Sequence, residues 1–222
     1  MLKAVFIDFY GTLVHEDGDV IREISQVIFN TGNVNDISDI GRFWWSEFRR
    51  LFMNAYGDNF KRQRDIEYMS LVGTAQHFGS SADPGVLCGM MFEHWRRSPV
   101  FSDSLEFLEG CPVPVYIVSN IDREDITEAV GFNGIKAAGI FTSEDARSYK
   151  PRRELFEYAL RSVGVEPRQV IHIGDSLESD VIGARGVGIS PVWVNRGGRA
   201  VPGDVVSVDS LAGALKLILD KM

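Results

Sequence analysis

The chain has 222 residues, 45% of them hydrophobic, and carries a formal net charge of −8 at pH 7. That length supports one well-buried core and a smaller second one, and the acidic balance argues against a nucleic-acid-binding surface, which is ordinarily basic. Two cysteines without paired spacing, Cys88 and Cys111, point to neither a disulfide framework nor a zinc site.

The first apolar run, Ala4-Val5-Phe6-Ile7, reads as a buried strand. It is too short for a signal peptide, and no later stretch is long enough to span a bilayer. A soluble protein of a reducing cytoplasm, with no membrane partner, is the expectation. The strand releases Asp8-Phe9-Tyr10-Gly11-Thr12-Leu13 into a tight loop. Open parallel sheets place their chemistry there, in the crevice beyond the strand ends. Taken alone, Asp8 reads equally well as a turn cap.

After Val14 the polar stretch His15-Glu16-Asp17-Gly18-Asp19 reads as a hinge or flap, and a purely helical region follows. Val20, Ile21, Ile24, Val27 and Ile28 mark one amphipathic helix, closed by Gly32. Ile40, Phe43, Trp44, Phe48, Leu51, Phe52 and Ala55 keep helical spacing up to Gly57. Ile66, Met69, Val72 and Ala75 make a third, ended by Gly79. Asp83-Pro84 starts a fourth, with Asp at the cap and Pro in the first turn, and Ser98-Pro99 breaks the pattern. Trp44, Trp45 and Trp95 are expected in the core of this bundle.

The periodicity then changes. Residues 113–118 are a strand run ending in Ser119-Asn120, followed by a helix through Ile126, Ala129 and Val130 and a shorter strand at 139–142. Pro151 opens a helix through Leu155, Phe156, Ala159 and Leu160, closed near Gly164. Residues 170–173 form the next strand, ending in Gly174-Asp175-Ser176, and strands at 192–194 and 205–208 precede a helix capped by Ser210. Alternating strands and helices with mostly continuous apolar strands predict an α/β fold, a parallel sheet covered on both faces. The helical module is an insertion after the first strand.

Four polar stations stand out: Asp8-x-Tyr10-Gly11-Thr12, Ser119-Asn120, Lys150-Pro151, and Gly174-Asp175-Ser176 with Glu178 and Asp180. In this order they resemble the haloacid dehalogenase superfamily of hydrolases, and the resemblance covers the whole chain. It implies a Rossmann-like core from residues 1–14 and 100–222 and a helical cap from 15–99. It also implies that Asp8 is a nucleophile forming a covalent ester. Lys150 would neutralise that nucleophile and a phosphate oxygen, while Ser119 and Thr12, with Asn120 at the same station, would serve the transferring group. The acidic cluster Asp175, Glu178 and Asp180 suits a hard divalent cation. By resemblance this is Mg²⁺, held by Asp8, the backbone carbonyl of Tyr10 and Asp175, with Asp180 behind them or bound through water. The plainer readings are a capping Ser119, a surface Lys150 and a capping Asp175.

One position departs from the phosphatases of this family, which carry a second Asp two residues after the nucleophile as general acid and base. Here Tyr10 stands in that place, with an ordinary pKa near 10 that suits it poorly to act as a base. An Asp-x-Tyr-Gly-Thr motif resembles instead the branch that removes halide from 2-haloacids. Arg42 would match that branch's halide-binding residue, or be a solvated arginine on a helix. The fourth motif argues the other way, because the dehalogenase branch works without metal and carries Ser-x-Asn-x-x-Asp there. Holding up to three acids beside Asp8 without a cation would cost on the order of several kcal/mol or force protonation. A phosphonate-cleaving branch needs a cap lysine, and Lys61 alone is available.

The expectation is therefore Mg²⁺-dependent hydrolysis of a small phosphorylated metabolite through an aspartyl-phosphate on Asp8. The alternatives are a metal-independent 2-haloacid dehalogenase or a weakly catalytic relative that binds a ligand or partner. His15 is the flap residue that could reach the site.

Overall fold

The computed structural model, which describes residues 1–220, opens with β1 (Ala4–Ile7), whose four side chains are all buried. Successive residues point to opposite faces of a strand. Val5 and Ile7 accordingly pack into one hydrophobic cluster and Ala4 and Phe6 into another. A strand apolar on both faces belongs in the middle of a covered sheet.

Four helices follow: α1 (Gly18–Thr31), α2 (Ile37–Met53), α3 (Gln63–His77) and α4 (Pro84–Arg97). Asp36 and Asp83 cap α2 and α4, their side chains accepting from the Ser38 and Gly85 N–H groups. Ile24, Ile28, Ile40, Leu71, Leu87 and Met91 give these helices one apolar core, continuous with the cluster beneath β1. The chain then forms α5 (Ser104–Gly110), β2 (Val115–Ser119), α6 (Arg123–Phe132), β3 (Gly139–Thr142), α7 (Ser143–Ala146) and α8 (Arg153–Val163). It closes with β4 (Val170–Gly174), α9 (Gly183–Arg185), β5 (Ser190–Val194), β6 (Ser207–Val208) and α10 (Leu211–Leu219). Ser210 caps α10 by accepting from the Gly213 N–H.

All strand pairs are parallel, in the order β3-β2-β1-β4-β5-β6. This is a Rossmann-like α/β sheet, and the winding reverses between β1 and β4, where such folds place their ligands. Ile7 pairs with Ile117 and with Ile173, so β1, β2 and β4 end at one level. The last two residues of the 100–222 core range lie outside the described residues. Among the described residues no helix is long and apolar enough to cross a membrane.

Several expectations need correction. The helix expected at Pro151 starts at Arg153. Helices α5 and α7 and a π-helical turn at Leu177–Ile182 were not anticipated. The strand expected over 205–208 is only two residues long. Trp44 and Trp95 are core residues, but Trp45 is 62% exposed. Adjacent residues on a helix point about 100° apart, so both indoles of a Trp-Trp pair cannot face one core.

Candidate active site

Asp8 leaves the end of β1 and donates its backbone N–H to the Ile173 carbonyl of β4 (2.8 Å), which fixes it at the reversal point. Lys150 reaches it from the loop before α8. Far from the surface position its sequence context allowed, Lys150 is fully buried. Its Nζ donates to Asp8 Oδ1 (2.7 Å), Asp180 Oδ1 (2.7 Å) and the Val118 carbonyl (2.9 Å). An ammonium has three donors, and all three face protein oxygens here.

Asn120 explains how the lysine is aimed. Its side-chain amide donates to the Lys150 carbonyl (3.0 Å) and accepts from the Lys150 N–H (2.7 Å). Asn120 thus positions the lysine loop through two paired hydrogen bonds. Tyr149 anchors the same loop to the helical insertion, donating to the Lys61 carbonyl (2.7 Å) and packing against Phe52 and Phe60. Lys61 is engaged there through its backbone. Ser119 is buried at the end of β2 and lines the pocket together with Asp8, Lys150 and Asp175.

Carboxylate oxygens of Asp8, Asp175 and Asp180 all lie within 4.8 Å of one another. Glu178, grouped with them from the sequence, turns outward and takes Arg49 instead (3.3 Å). Two glycines make the close approach possible. A Cβ at Gly11, whose φ is +83°, would stand 2.7 Å from the Asp175 carboxyl, and one at Gly174 would stand 2.2 Å from Asp180. Asp180 Oδ1 bonds to Lys150 and to His172 Nε2 (2.8 Å), and Oδ2 accepts from the Ser176 N–H (3.0 Å). Thr12, expected to face the transferring group, gives its hydroxyl to Asp175 Oδ1 (3.3 Å).

The charges are unequally served. Burial pushes Asp180 up, but Lys150 and His172 outweigh it and hold the carboxyl well below the usual range. Burial would likewise lower Lys150, and Asp180 and Asp8 reverse that. For Asp8, burial and the neighbouring Asp180 push upward against the pull of Lys150. Among the described residues the Asp175 carboxyl takes part in no ion pair, and Arg199 donates to the backbone carbonyl of Asp175 instead (2.8 Å). Burial first, then Asp8, Asp180 and Glu16, push that carboxyl to about 9. With all three carboxyls ionised against one ammonium the cluster would carry a formal charge of −2, which without a further cation favours protonation of Asp175. A hard divalent cation fits that donor set and that deficit.

Tyr10 does not present its hydroxyl as an acid. The phenol donates to the Trp95 carbonyl of α4 (2.7 Å). Burial, with Asp17 next, pushes it well above its ordinary value. Arg42 is exposed and pairs with Ser38 and Asp39 on its own helix, the solvated reading. His15 stacks on Phe101 at the rim of a neighbouring cleft that also reaches Gly11 and Asp175.

Other residues of the site carried no readable signal. Glu16, Asp17, Gln63 and Trp95 all line the pocket around Asp8. His172 sits in mid-strand, where a histidine between isoleucines gives no hint that it faces an aspartate eight residues on.

The description "haloacid dehalogenase-like hydrolase" matches residues 2–188 of the chain. A glyceraldehyde 3-phosphate phosphatase of Pyrococcus furiosus is 42% identical over 224 residues, covering 88% of this chain and 82% of that one. An (S)-2-haloacid dehalogenase of a Pseudomonas species is 25% identical over 206 residues, covering 89% and 84%. A 38% match to haloacid dehalogenase-like hydrolase domain-containing protein 3 of Danio rerio spans 47% of this chain and less than half, 43%, of that protein. In fold, the L-2-haloacid dehalogenase of Xanthobacter autotrophicus superposes with a TM-score of 0.78 over 99% of each chain, at 19% identity.

Proposed function

The chain belongs to the haloacid dehalogenase-like hydrolases, and from that we propose that it is a Mg²⁺-dependent phosphatase of a small phosphorylated metabolite. The observation that carries this reading is Asp175, a half-buried carboxyl beside two buried ones, with no ion-pair partner among the described residues. Asp8, the Tyr10 carbonyl, Asp175 and Asp180 would hold the metal, which supplies positive charge against the phosphoryl oxygens.

An Asp8 oxygen forms the bond to phosphorus, and the ester oxygen leaves with the bonding pair. Lys150 holds Asp8 in the attacking orientation and opposes the upward push of burial on its carboxyl. Ser119 donates to the transferring group from the wall of the pocket. Water then cleaves the aspartyl-phosphate, freeing phosphate and Asp8.

Tyr10 favours a second reading, 2-haloacid dehalogenation, in which halide needs no proton to leave. Phosphate release from acyl, aryl and sugar phosphates, beside halide release from 2-chloropropionate, with Mg²⁺ or with chelator, separates the two. Metal-dependent phosphate release supports the phosphatase. Halide release indifferent to chelator overturns it.

A further inference from the structure

The catalytic pocket opens into a second chamber of about 300 Å³ between the helical insertion and the sheet. Asp17, Gln63, Trp95, Asn120 and Ser179 line both spaces, so they are continuous. The volume lies at the small end of small-molecule sites, which run from roughly 300 to 1,000 Å³.

Five of its seventeen lining residues are aromatic: Trp44, Trp45, Phe48, Phe52 and Trp95. Trp45 stacks on Phe48 (centroids 5.9 Å, interplanar angle 11°), Phe48 on Phe52 (5.7 Å, 27°), and the outer indole is left 62% exposed. Several polar groups in the wall are already committed. Trp44 Nε1 donates to Ser70 Oγ (3.1 Å), Trp95 Nε1 to Asp17 (3.3 Å), and Arg49 to Glu178. A flat apolar group gains more from the stacked rings than a sugar or polyol, which would lose hydration against them.

Three lining oxygens, Asp17 Oδ1, Gln63 Oε1 and Glu67 Oε1, are buried without a hydrogen-bond partner, and the most buried of these residues is Glu67, only 4% exposed. Such an orphan is rare in native interiors, and a donor placed in the chamber would satisfy it.

A second, independent feature lies at the chemistry. The residue two after Asp8, which would protonate a departing alkoxide, is Tyr10, and its hydroxyl is tied to Trp95. Leaving groups that depart without a proton are favoured, and phenols are the organic alcohols that do so while offering a flat ring.

We infer that the substrate is a phosphate monoester of a phenol. Its one- or two-ring aromatic group lies in the chamber against Trp45 and Phe48, and a polar ring substituent meets Glu67. This rests on the phosphatase reading above. In the step itself the Asp8 carboxylate forms its bond to phosphorus as the phosphorus–aryl oxygen bond breaks. The phenolate leaves with the pair and takes its proton from water.

The test measures phosphate release by the Mg²⁺-loaded protein from 1-naphthyl, benzyl, glycerol and acetyl phosphates. Acetyl phosphate reports the phosphatase chemistry without needing the chamber. Naphthyl phosphate should exceed glycerol phosphate in kcat/KM. Benzyl phosphate, with its ring on an alkyl oxygen, should keep a low KM but a poor kcat. Trp45→Ala removes an exposed indole and should lower the naphthyl-to-acetyl ratio of kcat/KM by about three- to tenfold. Trp45→Phe should restore it, and a merely destabilised variant would lose both substrates alike. Turnover of acetyl phosphate with no preference for rings, or a ratio indifferent to Trp45→Ala, overturns the inference and leaves the phosphatase standing. No phosphate from any of the four removes both.

Discussion

Replacing Glu67 by Gln should remove a pH dependence of stability that is large for one side chain. Glu67 lies on α3, facing the chamber between Trp44 and Trp95, with Oε1 unpartnered. Burial, reinforced by the charge of Asp17, pushes its carboxyl from 4.5 to about 8. In the unfolded chain it ionises near 4.5, whereas in the folded chain it stays protonated until about 8. The unfolded state therefore binds fewer protons in that window, and stability falls as pH rises through it. The contribution is fully present below about pH 4.5 and gone above about 8. At about 1.4 kcal/mol per pH unit the loss is on the order of 5 kcal/mol. Asp8, Asp122 and Asp175 are raised as well and slope the same way, so the difference between proteins is the quantity to read. Urea unfolding of wild type and Glu67→Gln at intervals from pH 5 to pH 9, with Mg²⁺ constant, supplies it. The variant's free energy should fall much less steeply than the wild type's. Parallel curves would mean that Glu67 is ionised when folded and that the chamber is wetter than its lining suggests.

Asp8→Asn should abolish turnover while leaving circular dichroism and the unfolding midpoint close to wild type, since the amide is not a nucleophile. Chelation should stop phosphate release and added Mg²⁺ restore it, with Asp175→Ala raising the metal concentration needed. Lys150→Ala leaves Asp8 and Asp180 buried without their shared ammonium, and should destabilise the fold by about 3–5 kcal/mol in urea unfolding. Wild-type log kcat/KM should fall steeply with leaving-group pKa. Tyr10→Asp should flatten that slope, raising alkyl phosphates by up to about 10²-fold. A shallow wild-type slope that steepens in Glu16→Gln would instead put the proton on the flap.

What the sequence made legible depends on how far each signal reaches along the chain. Strands β1 and β4 are apolar on both faces, so they read as continuous runs ending at Asp8 and Gly174-Asp175. Caps at Asp83 and Ser210 are local and were legible for the same reason. Helix α5 has only seven residues, too few for a helical period to stand out. Arg42 and Arg49 stand seven apart and so share one face of α2. Only the fold selects Arg49 as the one that meets Glu178. Spacing likewise could not say which member of Trp44-Trp45 turns inward. Glu67, an acid in a helix of mixed residues, becomes notable only when α2 and α4 close around it. The Lys150 triad depends on β1, β2 and the loop before α8 meeting at one level, which no local pattern encodes.

Tyr10 joins the catalytic loop to the helical cap. A carboxyl at that position would be shorter, and with Asp8 and Asp17 nearby it would add negative charge to a site already carrying a surplus. The phenol adds none. Because burial raises it well above its ordinary value, it remains a donor throughout the physiological range. Its bond to the Trp95 carbonyl therefore persists, and it ties the residue two after the nucleophile to the last turn of α4. Trp95 in turn forms part of the wall shared by the catalytic pocket and the aromatic chamber. On the proposed reading, a tyrosine at this position would withhold a proton from the leaving group and at the same time fix the wall beside it. Chemistry and recognition would then be narrowed together, toward substrates that leave unaided and fit beside an indole.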